Sequence, residues 1–216
     1  MGSDGRQRGR ERDSYHHGNL REALIEAALA LSVERGPAGF TFAEVARAAG
    51  VSPAAPYRHF RDRNALLAEV ARLGFERFEA RLRGAWRNGA PNPVSAIENI
   101  GQAYLSFARD EPAAYAVMFA SGLGIGDEPA LLLASARAFG VLRDAADLAC
   151  GKATGKAGGK ARPPPTMVAL HLWSLAHGIA SLFIGPNADA RRRLPMTPED
   201  LLEAGILLYV QSLGLE

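Results

Sequence analysis

The chain has 216 residues, 25 Lys and Arg against 23 Asp and Glu, a formal charge of +2 and a single cysteine, Cys150. That length suffices for one small and one larger domain with a core, the lone cysteine excludes an internal disulfide and fits a reducing compartment, and the near balance of charge assigns no partner by itself. A charged N-terminus with no apolar stretch behind it carries no export signal, so the expected location is the cytoplasm.

Residues 1–18 form a basic arm, with Arg6, Arg8, Arg10 and Arg12 in a stretch almost without apolar side chains. Such a segment is expected to be disordered, available to DNA phosphates or a minor groove, or else only a solubilising tail. Further on, Thr41 and Glu44 make a capping box flanked by Phe40 and Val45 as a hydrophobic staple, which opens a helix; Gly50 closes it. After Val51, Ser52 can cap a second helix with Pro53 in its first turn, running to about Phe60. That helix carries small residues first (Pro53, Ala54, Ala55) and then Tyr57, Arg58 and His59. The pattern is a helix-turn-helix, whose small leading residues let a helix enter a major groove while the polar ones behind reach base edges and phosphates. Pro56 lacks an N–H and restricts Ala55, so the first turn of this reading helix is expected to be tightened or irregular.

In these residues, YHHGNLREALIEAALALSVERG from Tyr15, TFAEVARAAGVS from Thr41 and YRHFRDRNALL from Tyr57, the chain resembles the tetracycline-repressor (TetR) family of bacterial transcription regulators. Several motifs in the family's order and spacing carry the resemblance, from Tyr15 to about Val70. It implies a three-helix DNA-binding domain at 19–64, with a first helix from Leu20 to Gly36 and a connecting helix opening near Asp62. Two positions depart from the family pattern: Ala54 stands where glycine is frequent, and Pro56 where an apolar residue is. The fold is unaffected, but the base-contacting geometry is put in question. Tyr57 and His59 read as phosphate or base-edge contacts, Arg58 as a guanine or phosphate contact, and Thr41 and Arg63 as backbone contacts from the starts of their helices. Ser52, Pro53, Ala54 and Ala55 face the groove, and Phe60 reads as core.

The remainder reads helical. Leu66, Val70 and Leu73 mark one face of a long helix to about Trp86, and a break follows at Asn88 to Pro93. Ser95 and Glu98 form a second capping box for a helix carrying Ile100, Tyr104 and Phe107 as far as Glu111 and Pro112. Pro112 to Ala120 presents Tyr115, Met118 and Phe119, and the turn GLGIG leads into a helix from about Glu128 to Ala149. Residues 151–165, GKATGKAGGKARPPP, are a flexible loop. They miss the P-loop spacing, and GLGIGD misses the dinucleotide fingerprint because Asp127 stands where the third glycine belongs. With no alternating segment, the fold class is all-α: the N-terminal helix-turn-helix domain plus a larger helical ligand-binding and dimerisation domain at 65–216.

The helix from about Thr166 to Ile184 has no polar face, and the last helix, opening at Thr197 with Pro198 in its first turn, repeats this at Ile206 to Val210. A soluble helix apolar all round is buried all round. A second subunit pairing through 166–185 and 197–213 would bury both in a two-fold four-helix interface; the other solution is the core of a monomer. Its interruptions by His171, Ser174, His177, Gly178 and Ser181, and its length, argue against a membrane span.

The segment Trp173 to Gly178 also resembles the tryptophan-x-x-x-histidine-glycine pattern in the C-terminal domain of one TetR subgroup. The resemblance further implies that a small-molecule effector binds in the second domain and shifts the population toward a DNA-incompetent spacing, releasing a repressor from a palindromic operator. Tyr104, Phe107, Tyr115, Met118, Phe119, Trp173 and His177 are the lining candidates, as aromatic, soft or amphipathic side chains on inward faces; each also fits a plain core role. No enzyme, metal or cofactor is expected. His16 and His17 are adjacent on the arm, His171 and His177 sit on different faces, Cys150 has no motif around it, and no nucleophile elbow or paired-acid signature appears. The competing reading is a helical dimeric small-molecule-binding or interaction protein with weak or no specific DNA binding.

Overall fold

Side-chain caps set where four of the helices begin, at Thr41, Asp62, Asn92 and Thr197. The computed structural model describes residues 20–152, 163–184 and 194–214. Its elements, in order, are α1 (Leu20–Arg35), α2 (Phe42–Ala48), a 3-10 turn (Ala55–Arg58), α3 (Arg63–Trp86), α4 (Pro93–Asp110), α5 (Pro112–Ala120), α6 (Pro129–Lys152), α7 (Pro165–Phe183) and α8 (Pro198–Ser212). No strand occurs among the described residues. The basic arm at 1–18 and residues 153–162 of the expected loop lie outside them.

Thr41 caps α2 through a full capping box. Its hydroxyl accepts from the Glu44 N–H at 3.3 Å, and its own N–H donates to Glu44 Oε2 at 2.7 Å. Thr197 and Asp200 repeat the box at α8. Asp62 caps α3 by accepting from the Ala65 N–H at 2.8 Å. At α4 the expected Ser95 and Glu98 box is replaced: the cap is Asn92, whose side chain accepts from the Ser95 N–H at 2.9 Å. An Asn followed by Pro93 at the first helical position offers both an acceptor and a preset φ, so the helix starts earlier.

The chain divides into two compact units, one comprising Met1–Arg72 with Ala113–Glu128, the other Leu73–Pro112 with Pro129–Glu216. The division therefore falls within α3 rather than at its start, and nearly all of α5 groups with the helix-turn-helix. The core of the first unit contains Leu24, Ala28, Val45, Ala46, Phe60, Leu66, Leu67 and Val70. Arg21 reaches from α1 to Glu69 on α3 at 2.7 Å, and its guanidinium lies 5.3 Å from the centre of the Phe60 ring.

In the second unit the core runs through Phe78, Tyr104, Phe107, Val141, Val168, Leu172, Ile206 and Val210. Two glycines permit close helix approach there. A Cβ at Gly101 would sit 2.9 Å from Leu202 Cδ2, and one at Gly205 2.8 Å from Leu175 Cδ2. The expectation that α7 is buried all round is not met within the protomer. Only 33% of its apolar window is covered, with Met167 47% and Leu170 50% exposed, and on α8 Leu207 44% and Leu208 68%. By length and composition alone α7 is also apolar enough to cross a membrane.

Candidate nucleic-acid interface

The turn between α2 and the reading element is built from its backbone upward. Gly50 sits at φ +71°, and the chain closes with the Val51 N–H on the Ala46 carbonyl at 2.9 Å and the Gly50 N–H on the Arg47 carbonyl at 3.1 Å. These are the two bonds of a Schellman termination, and a side chain at Gly50 would incur the left-handed penalty.

The reading element is shorter than the expected helix from Pro53 to Phe60. It is a single 3-10 turn, and no side chain caps it, so Ser52 does not act as the expected cap. Pro56 is the physical reason: it has no N–H to return to the Ser52 carbonyl, which accepts instead from the Ala55 N–H at 3.0 Å, an i to i+3 bond. Pro56 itself is buried, and its carbonyl accepts from the N–H groups of His59 and Phe60 at 2.9 and 3.0 Å. The proline thus anchors the element from inside.

Around that anchor, Ser52, Pro53, Ala54, Tyr57, Arg58 and His59 are all exposed, and Ala55 is half-buried. These candidates come together on one continuous segment. Tyr57 is 62% exposed, yet its ring is fixed edge-on against Phe42, centroids 5.1 Å apart and planes at 89°. Phe42 is thus a supporting residue that sequence reasoning missed. Phe60 is buried, as its apolar character requires.

Thr41 and Arg63 are differently placed. The Thr41 hydroxyl also donates to Glu44 Oε2 at 2.9 Å, so it is committed to the cap. The backbone N–H of Thr41 above all, then its hydroxyl and Arg35, holds the Glu44 carboxyl below its ordinary value. The expected backbone contact from Arg63 is not set up, because its guanidinium turns inward. It donates to the Pro37 carbonyl, lies 4.8 Å from the centre of the Phe40 ring, and has a buried Nε without a hydrogen-bond partner among the described residues. Burial lowers its pKa from the usual value. Arg63 ties the loop before α2 to the start of α3. Just beyond the reading element, the well-exposed Arg61 pairs with Glu128 at 2.6 Å. The two are 67 residues apart, a separation that left no signal in the sequence.

The effector candidates divide. Tyr104, Phe107, Trp173 and His177 converge in the second unit, where Tyr104 packs edge-on against Phe78 and Trp173 at 4.9 and 5.6 Å and its hydroxyl is 2.9 Å from His177 Nδ1. Burial lowers the His177 pKa. Tyr115, Met118 and Phe119 belong to the first unit, where the Tyr115 and Phe119 rings meet at a tilt of 55°, centroids 4.8 Å apart. A cavity bordered by Ile97, Ile100, Tyr104, Leu142, Leu172 and Ile206 measures about 10 Å³, room for about one water.

A glycine-terminated first helix, a tight turn and an exposed segment that combines small, aromatic and cationic side chains define a helix-turn-helix DNA-binding protein. Residues 24–70 match the model of the bacterial regulatory proteins of the tetR family, and residues 97–208 that of the tetracyclin repressor-like C-terminal domain. The chain belongs to the TetR family of transcriptional regulators. Among solved structures it is similar to a protein of unknown function from Rhodococcus sp. RHA1 (28% identity, 93% of this chain and 98% of the other covered, TM-score 0.74). It is also similar in fold to the TetR family regulator PfmR from Thermus thermophilus (20%, 89% and 98%, TM-score 0.63) and to a tetR family regulatory protein from Rhodococcus RHA1 (17%, 91% and 98%, TM-score 0.65). No curated protein matches the chain.

Proposed function

We propose that this regulator is a homodimeric repressor that acts in the cytoplasm, holds a roughly palindromic operator with two copies of its reading element, and releases it when a small molecule binds in the second unit. The observation that carries the reading is the aliphatic face of α7 and α8. Met167, Leu170, Leu207 and Leu208 stand in solvent on neighbouring helices, and a Cβ at Gly178 would meet nothing within 4 Å. An aliphatic face of this kind is what a second copy covers, and a two-fold pair of reading elements demands a two-fold operator.

On the DNA, Tyr57, Arg58 and His59 contact phosphates and base edges, while Ser52, Pro53, Ala54 and Ala55 face the groove; Thr41 and Arg63 act by holding α2 and α3 in place. In the second unit the effector is mainly apolar, because the cavity beside Tyr104 is bordered by Ile97, Ile100, Leu142, Leu172 and Ile206. A space of about 10 Å³ does not hold such a molecule, so an effector bound beside Tyr104 selects an arrangement with the helices parted. The protein is a binding protein and carries no reaction.

Selection of bound sequences from a random duplex pool tests the reading. Enrichment of two inverted half-sites about one helical turn or a multiple apart is the expected outcome. Enrichment of an isolated half-site, or of nothing by the folded protein, contradicts it.

A further inference from the structure

Arg61 stands three residues after Arg58, within about 11 Å of chain. Its side chain is 71% exposed, yet its donors are already given to carboxylates of its own unit. Nη2 lies 2.6 Å from Glu128 Oε1, and Nε lies 3.4 Å from Asp62 Oδ2. Asp62 is there for a local reason, since its other oxygen accepts from the Ala65 N–H at 2.8 Å and caps α3. Glu128 comes from 67 residues away and is the last residue of the first unit, before α6 opens at Pro129. A carboxylate is thus brought from a distant part of the chain onto the first arginine beyond the reading element.

A duplex on this face presents a dense row of negative charge, about one per 1.7 Å of its axis. Two courses are then open to the ion pair, and both reduce affinity. If Arg61 keeps Glu128, its charge is cancelled and it adds nothing to the attraction. If Arg61 turns to a phosphate, the pair is broken and Glu128 is left as an uncompensated anion within a Debye length of the DNA. An exposed pair of this kind shifts an equilibrium by no more than about fivefold, so the effect tunes binding without preventing it. We propose that Glu128 is an internal competitor for the operator: it engages Arg61 in the free protein and sets operator affinity below what the cationic surface would otherwise reach. The inference rests on the DNA-binding reading above and adds to it a residue that opposes binding. A brace that merely positioned the reading element would have the opposite sign, because losing it would weaken the complex.

The test uses the full-length protein and the operator that it selects from a random duplex pool, with affinities measured by fluorescence titration from about 50 to about 200 mM salt. Glu128→Gln keeps the shape of the side chain and removes its charge. It is expected to bind the operator about fivefold more tightly at the low-salt end, with a salt dependence steeper by about 0.9 in log–log slope for each protomer bound. Asp127→Asn removes an exposed charge of the same sign from the neighbouring residue, outside the pair, and is expected to change the affinity much less. In an Arg61→Met background the gain from Glu128→Gln is expected to be mostly lost, because nothing remains for the carboxylate to hold. Unchanged or weaker binding by a Glu128→Gln variant that is folded by circular dichroism overturns the competitor while leaving sequence-specific DNA binding intact. Equal gains from Asp127→Asn and Glu128→Gln, or a gain that persists in full without Arg61, overturn it in the same way. Failure to select any site overturns the DNA-binding reading as well.

Discussion

Two surfaces of this molecule are left to solvent by the protomer, and they differ in kind. The reading element in the first unit exposes a mixture of hydroxyl, hydrocarbon, phenol, guanidinium and imidazole on a backbone fixed by glycine and proline. In the second unit α7 and α8 expose large aliphatic side chains, with Leu208 68% and Leu170 50% accessible, among polar ones such as His171, Ser174 and Gln211. A mixed, cationic surface tolerates water and engages a charged, hydrated ligand that comes and goes. An aliphatic face has no such partner in water and suits a permanent one, because obligate interfaces resemble a core cut in half. The contrast is what supports the proposal of an exchanging partner, DNA, at the first face and a resident one, a second copy of the chain, at the second.

Substitutions behind each face sharpen that contrast. The largest effect is expected in the second unit from Phe78→Ala, since Phe78 is wholly buried among Tyr104, Phe107 and Trp173. A loss of about 3 to 5 kcal/mol in denaturant unfolding is expected, where a loosely packed site would give much less. At the reading element Arg58→Ala or Tyr57→Ala is expected to weaken operator binding by roughly 1 to 3 kcal/mol at fixed salt while the protein stays folded. Unchanged affinity would remove both residues from the interface. Thr41→Ala removes a cap in the first unit and is expected to lower stability by about 1 kcal/mol. Its operator affinity, corrected for the folded fraction, should change little if Thr41 acts only by holding α2.

The smallest effect is one of pH. Burial keeps the His177 imidazole below its ordinary value of 6.5, so the folded state favours the neutral ring. On acidification the unfolded chain takes up the proton first, and stability present above about 6.5 is lost as pH falls below it. Melting temperatures from about pH 7.5 to about pH 5.5 should show this decline, and His177→Gln should flatten it. A decline equally steep in the variant would place its origin elsewhere.

Local chemistry made most of the helix starts readable. The Thr41 and Glu44 box, the Gly50 stop and the Thr197 start depend on residues within one turn of each other, and all three appear at the positions that the residues dictate. Where two local signals competed, the nearer acceptor prevailed, as Asn92 did over Ser95. Pro56 was legible as a disturbance, but its outcome, one 3-10 turn in place of a helix to Phe60, depended on where the Ser52 carbonyl found a donor. Arg63 was not legible, because its partner is a carbonyl 26 residues away and its ring partner is Phe40. The effector candidates were chosen by residue type on inward faces. Such a choice cannot tell that α5 groups with the first unit and the Tyr104 cluster with the second, because grouping is tertiary.

The most direct test of the two-surface account is the mass of the particle in solution, by sedimentation equilibrium with and without the selected operator, for the wild type and for a Leu170→Arg, Leu208→Arg double variant. The predicted result is a wild-type dimer at micromolar concentration that binds one operator as a dimer, and a folded monomeric variant whose operator affinity is lower by about a hundredfold or more through lost avidity. A wild-type monomer, or a double variant that stays dimeric and binds as tightly as wild type, would contradict it.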